Sequence, residues 1–332
     1  MKFFLQRLFQ GILVIWGIVT LLFLIFYTLG DPAEYLVGDQ ADEATKTAIR
    51  EKYGLDRPLP VQYILYLNDL SPLGINENGH WAIKFPNPGR SYQTNAPVSG
   101  MIASRMEGTL ILAGVSIIFA SVAGIFLGII SALKYNTWWD RTILSVSVLG
   151  ISAPSFFMGV LIAWLFAVKL RGITGLNVSG HIFEENIFSP GRTIILKNLL
   201  LPAVALGIRP LAVFIQLTRS SMLEVLSTDY IRTAKAKGLS AQNVLLRHAL
   251  RNALNPVMTA VTGWLASLLA GAFFIEYIFD WQGIGKLTID ALNTNDFPVI
   301  LGCAMTIGVI FVAASILTDV LYALLDPRIR IS

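Results

Sequence analysis

"TDYIRTAKAKGLSAQNVLLRHALRNALNP" runs from Thr228 to Pro256 and carries Arg232, Lys235, Lys237, Arg247, His248 and Arg251 between two apolar runs long enough to cross a bilayer. Two readings compete for it: a solvated basic loop, or a docking surface for a partner. The local chemistry is ordered. Asp229 is expected to cap a short helix through Lys237, with its charge favourable at the N-terminus and Lys235 and Lys237 favourable near the C-terminus. Gly238 then stops that helix, because glycine adopts positive φ cheaply. Ser240 is expected to cap a second helix, in which Leu246, Ala249, Leu250 and Ala253 share one face and Asn243, Arg247 and Arg251 the other. Asn255 and Pro256 read as N-cap and first residue of the next span. Small Ala234 and Ala236 let another surface approach closely. A solvated loop explains the charge but not the paired caps around a glycine break.

The rest of the chain sets the frame. Of 332 residues 55% are hydrophobic and only 14% charged, against about 25% charged in a soluble domain. The mean hydropathy is +0.64. The apolar residues gather in blocks rather than helical stripes, which is the membrane pattern. Six blocks can span: 9–29, 109–133, 145–168, 199–218, 257–279 and 299–323. The fold class is therefore an all-α polytopic membrane protein with six transmembrane helices. The first block would be about 31 Å long as a helix, and its flank "TLGDPAEY" has no clean small-x-small cleavage site, so a retained signal-anchor is expected. Pro154 lies in the third block and the Arg209-Pro210 pair in the fourth, both tolerable where neighbours satisfy the freed carbonyls. Cys303 is the single cysteine, so no internal disulfide is possible.

Charge placement orients the spans. Lys2, Arg7, Lys134, Arg141, the six Lys/Arg from Arg219 to Arg251, Arg328 and Arg330 all fall on one side, beside only Asp140, Glu224, Asp229 and Asp326. The 31–108 segment instead has ten acidic residues against seven basic ones. The positive-inside rule puts both termini and the 219–256 loop in the cytoplasm. Residues 31–108 form an extracytoplasmic insertion after the first helix (1–30), with two short amphipathic helices around "LDRPLP" and a turn-rich stretch that could carry a hairpin. Residues 109–332 are the remaining transmembrane core.

Catalytic chemistry is not legible. His80, His181 and His248 are scattered over both sides of the membrane and read as solvated polar residues rather than metal ligands. "GISAPSF" lacks a serine–base pair. "GIGKLT" from Gly283 to Thr288 has no first glycine and no Ser/Thr after the lysine, so it is a turn and not a phosphate loop. No catalytic residue, metal site or cofactor of this chain's own is expected, and no nucleic acid partner.

The Asp229–Leu239 stretch "DYIRTAKAKGL" and the Arg247–Pro256 stretch "RHALRNALNP" resemble the EAA loop of ABC-importer permeases, specifically the peptide/nickel branch. Arg232-Thr233-Ala234 stands in the E-A-A positions and Gly238 in the glycine position. The resemblance extends over nearly the whole chain, through "GDP" at Gly30, "YGLDRPLPVQY" from Tyr53, "TRSSMLEVL" from Thr218, "FDWQGIG" from Phe279, "DFPV" from Asp296 and "DPRIR" at the end. It implies a type I importer permease fold in a bacterial inner membrane. It also implies a coupling helix, comprising Asp229, Tyr230, Ile231, Arg232, Thr233, Ala234, Lys235, Ala236 and Lys237 with Gly238, that docks on a separate ATPase. The implied partners are a second, homologous permease chain, two ATPase subunits holding ATP and Mg, an extracytoplasmic binding protein, and membrane lipid. Three features depart from the family: Asn255 stands where a leucine commonly precedes the proline, 75–88 is longer than the norm, and Arg209 puts a full charge inside the fourth span. Arg209, with Pro154 and Ser155, is the candidate translocation path.

Peptide import is the leading expectation. The same architecture could carry nickel or another small solute. An ion-coupled secondary transporter would need ionisable residues near the midplane, where Arg209 stands alone and Glu276 and Asp319 lie towards span ends.

Overall fold

Apolar blocks of this length become helices because lipid offers no partner to an open backbone N–H or C=O. The computed structural model describes residues 2–28, 33, 42–75, 79–181, 183–185 and 192–325. The Gly30–Pro32 match and the closing Asp326–Arg330 match lie outside the described residues.

Helix α1 (Lys2–Thr28) holds the first block. Helices α2 (Glu43–Tyr53) and α3 (Leu59–Leu70) are the two expected amphipathic helices, and β1 (Leu73–Ile75) pairs antiparallel with β2 (Trp81–Ile83) as the expected hairpin. Helix α4 spans Val98–Leu133, starting well before the apolar block expected at 109. After α4 come α5 (Trp138–Ser152), α6 (Ser155–Ile162), a π-helical turn (Ala163–Lys169), α7 (Arg171–Thr174) and a second antiparallel pair, β3 (Phe183–Glu185) with β4 (Arg192–Ile194). Helix α8 is Leu196–Leu226 and α9 is Asp229–Ala236. A composite helix over 241–253 leads to α10 (Asn255–Gly271), α11 (Phe273–Ile278), α12 (Ile284–Asn293) and α13 (Phe297–Leu325).

Among the described residues, four helices are long and apolar enough to span: Gln6–Phe26 in α1, α4, α8, and Phe297–Val320 in α13. The other two expected spans are broken. The 145–168 block bends by 113° between α5 and α6. Pro154 causes the break, since it has no N–H and forces Ala153 out of helical geometry, to φ −79° and ψ 139°. Proline thus opens α6 instead of riding inside a span. The 257–279 block divides at Ala272, leaving α10 with 17 residues, about 26 Å. Pro202 and Pro210, by contrast, lie within an uninterrupted α8.

Two compact units account for the chain: residues 1–4, 108–282 and 310–332 in one, residues 5–107 and 283–309 in the other. In the first, α8 packs on α4 through glycines. A Cβ on Gly124 would meet Phe214 Cβ at 2.7 Å, and one on Gly128 would meet Thr218 Cβ at 2.5 Å. Small residues at this four-residue spacing let two spans approach backbone to backbone. At the far end of α4, Trp281 Nε1 donates to the Gly108 carbonyl at 2.9 Å, and fully buried Glu276 accepts from Thr109 Oγ1 at 2.7 Å. In the second unit Asp296 is the organising carboxylate. It accepts from Ser91 Oγ and from the Tyr92 N–H at 3.0 Å, holding the 91–97 turn against the start of α13.

Candidate functional site

The loop from 219 to 256 is a built structure. Thr228, not Asp229, is the N-cap of α9: its backbone is extended (φ −73°, ψ 153°) and Asp229 is the first helical residue. The Thr228 hydroxyl makes no cap bond because it donates to the Val225 carbonyl at 2.6 Å. Asp229 still places its charge in the first turn, favourable to the helix dipole. The expected end holds. Lys237 is the C-cap and Gly238 has φ +81°. The Gly238 N–H bonds the Lys235 carbonyl at 3.0 Å and the Leu239 N–H the Ala234 carbonyl at 3.4 Å, the bond pair of a Schellman ending. Ser240 caps the next helix, accepting from the Asn243 N–H at 3.3 Å.

The faces differ from expectation in two places. Ala234 is not open to a partner. It is 7% exposed and packs with Ile231 into a cluster of Met222, Val244, Ala249, Ala253 and Ala132. The outward face of α9 is Asp229, Tyr230, Arg232, Thr233, Lys235 and Ala236, continuing to Lys237. Leu246, expected inside, is exposed, and Val244 takes its place. Residues 244–250 form a π-helical turn, so the buried positions Val244 and Ala249 stand five apart and a 3.6-residue count loses phase. The following helix begins at Asn255 with Leu254 as its cap, one residue earlier than the Asn255 cap expected.

Three ties hold the loop together and to the spans. Tyr230 Oη accepts from Asn252 Nδ2 at 2.9 Å, joining α9 to the composite helix. Ile231 and Ala234 lock α9 under the last turns of α8. Arg219, on α8, meets Asp140, on α5, through two parallel bonds of 2.7 and 2.9 Å. Asp140 is nearly fully buried and also accepts from Ser131 Oγ and, at 2.9 Å, from the Asn136 N–H. Four donors converge on one carboxylate, and the Arg219 guanidinium also lies 5.3 Å from the Tyr135 ring centroid. In the sequence Asp140 and Arg219 read only as charges. They are 79 residues apart, and no local spacing points from one to the other. Glu276 was likewise placed at a span end, with no sign of its bond to Thr109.

Arg209 is the only exposed residue between Leu200 and Ser220 on α8. With Gln216 and Ser220 it forms a polar stripe at i, i+7 and i+11, one face of the helix. Among the described residues no ion pair or hydrogen bond ties Arg209 to Ser155, and Pro154 is exposed at the α5–α6 break. His181 is half-buried, with Nε2 2.8 Å from Gln282 Nε2, rather than solvated.

Residues 124–331 match the family of binding-protein-dependent transport system inner membrane components, and residues 1–113 match the N-terminal region of such membrane components. The chain belongs to this family. Its relatives include a putative peptide permease protein of Brucella suis, 37% identical with both chains covered completely. A dipeptide transport system permease protein of Escherichia coli is 34% identical over 99% of each chain. A crystal structure of an amino acid ABC transporter with histidines matches 68% of this chain and 94% of its own, with a TM-score of 0.50 at 14% identity. That likeness bears on the fold alone, and the fold is that of a type I importer permease. Family membership makes the protein a non-catalytic membrane subunit of an ABC importer, a class whose partners are an ATPase and a binding protein. In such a permease the glycine ending of α9 has a direct test. Gly238→Val places a β-branched residue at φ +81°, a strain of about 1–3 kcal/mol. Uptake and transport-stimulated ATP hydrolysis are expected to fall together at unchanged expression, and wild-type values for both would refute the role given to the turn.

Proposed function

We propose that this chain forms half of the translocation path of an ATP-driven importer of peptides, with α9 as the helix that docks on a separate ATPase. The observation that carries the reading is the two-sidedness of α9. Ile231 and Ala234 are sealed into the chain's own core, while Arg232, Thr233, Lys235 and Ala236 stand outward on a helix stopped sharply at both ends. A solvated loop has no need of such fixing. The complete complex would contain a second, homologous permease, two ATPase subunits holding ATP and Mg, and an extracytoplasmic binding protein, with both termini of this chain cytoplasmic. Peptide as the cargo is supported by the names of full-length relatives at 34–37% identity.

Motion would pass along a stiff path. Displacement of α9 is delivered to α8 through the Ile231–Ala234–Met222 packing and to α5 through the Arg219–Asp140 pair. Arg209, on the polar stripe of the same α8, would face the solute and attract a peptide carboxylate. An arginine at this depth is costly unless it meets water or protein.

Reconstitution of the permease with its ATPase and binding protein tests the reading through ATP-driven uptake of a labelled peptide. Transport of nickel and no peptide would overturn the cargo. In the same system Arg209→Gln is expected to preserve assembly and ATP hydrolysis while uptake drops more for peptides with a free C-terminal carboxylate than for amidated ones. Equal losses would refute the carboxylate contact, and loss of the assembled complex would make Arg209 a structural residue.

A further inference from the structure

Over its first two turns helix α3 is inside out for a helix in water; only at its end does the order return to normal, with Leu70 buried and Asp69 exposed. Its polar and amphipathic residues Gln62, Tyr63 and Tyr66 are half-buried, while Leu59, Val61, Ile64 and Leu65 are exposed, Ile64 by 64%. Gln62 Nε2 turns back to the Leu55 and Arg57 carbonyls at 3.1 and 2.6 Å. The covered side of α3 lies on α1: Tyr63 Oη and Thr20 Oγ1 are 2.6 Å apart, and the Phe23 ring packs against Tyr63 and Tyr66 at centroid distances of 5.2 and 6.0 Å. Thr20 is six residues inside the end of the apolar window of α1 at Phe26, about 9 Å along the helix axis. On α1, Leu21, Leu24 and Ile25 at the same level are exposed. The apolar face of α3 is therefore continuous with the lipid-facing surface of a membrane span.

The hairpin repeats the pattern. Leu73 pairs with Ile83 and Ile75 with Trp81, so these four side chains share one face of the ribbon. All four are exposed, Trp81 by 78% and Ile83 by 86%, with Phe85 beyond them at 95%. The opposite face carries buried Gly74 and half-buried Ala82. Asn68 of α3 holds the ribbon, accepting from the Ile75 N–H at 2.7 Å and donating to its carbonyl at 3.1 Å.

We infer that α3 and the β1–β2 hairpin are embedded in the lipid leaflet on the side of the 31–108 segment, as an interfacial collar fixed to α1. Amphipathic elements of this kind sink about 5–10 Å into the headgroup–acyl boundary, the depth at which Tyr63 meets Thr20. Tryptophan is the side chain most at home there. The role is independent of cargo. The collar would hold the outer end of α1 at a fixed level and keep the extracytoplasmic segment close to the bilayer plane.

The test uses spin labels on Ile64→Cys and Ile83→Cys in a Cys303→Ala background, with the assembled transporter in lipid nanodiscs. Leu24→Cys serves as the lipid reference and Asp56→Cys as the water reference. The ratio of oxygen to nickel-chelate collision rates at Ile64 and Ile83 is expected to be several-fold above that at Asp56 and to approach that at Leu24. A ratio like that of Asp56 overturns the inference in favour of water. Shielding from both reagents overturns it in favour of a protein partner on this face. On the wild-type chain, a diazirine in the acyl chain of the lipid should add to the 59–85 peptide. Its absence there, with adducts on α1, would also overturn the collar.

Discussion

Arg219→Leu is expected to destabilise the permease by about 3–5 kcal/mol, the usual cost of removing one member of a buried pair. The reason lies in what stays behind. Asp140 has a side chain only 3% exposed and would keep Ser131 and the Asn136 N–H but lose both bonds from its one cationic partner. Asp140→Asn should cost less, since it leaves no buried charge and Arg219, 20% exposed, can turn towards water. The double variant is expected to be less impaired than the sum of the two single ones, because contacting partners are not additive. Denaturation of the purified protein in detergent, with membrane levels as a second readout, gives the ordering. Equal, small losses for both single variants would mean that the α5–α8 tie contributes little, and the stiff path from α9 into the spans would lose its main link.

A tryptophan scan of α9 is expected to separate the helix into two faces. Ala234→Trp forces an indole into the space shared by Ile231, Met222, Val244 and Ala249, and overpacking of this kind costs about 1–3 kcal/mol, with more where backbone must move. The 228–256 loop should then become protease-sensitive in the permease alone, before any ATPase is present. Ala236→Trp adds the same bulk to the exposed face. It should leave the loop resistant to protease while greatly reducing recovery of the ATPase with the permease and abolishing stimulated hydrolysis. If both variants damage the loop, or neither affects ATPase recovery, the division of α9 into an inner and an outer face is wrong.

Much of the 219–256 loop was legible because its signals are local. Gly238 announces its own positive φ, Ser240 caps within three residues, and a basic helix between apolar blocks can be read by counting. The inner and outer faces of α9 were not legible, because sequence alone does not say which small residue a neighbouring span will cover. Leu246 was misplaced because the π-helical turn over 244–250 puts Val244, not Leu246, on the buried face with Ala249 and Ala253, and such a turn carries no compositional mark. The break at Pro154 was visible as a proline but not as a 113° bend, since Pro202 and Pro210 are accommodated within α8. The Arg219–Asp140 pair and the glycine contact of α4 with α8 depend on tertiary placement, and a single sequence carries no record of that.

What touches Ala236 decides most directly whether α9 is the coupling helix. A photoreactive benzophenone side chain placed there in the full-length permease, co-expressed with its ATPase, should on illumination form one covalent product with the ATPase subunit. The same group at Asp56, in the segment read as extracytoplasmic, should form none. Capture of the ATPase from Ala236, diminished by Ala236-proximal charge reversal at Lys235, is the predicted result. An assembled, active complex in which Ala236 captures only lipid, solvent or the permease itself would contradict the claim that α9 is the coupling helix.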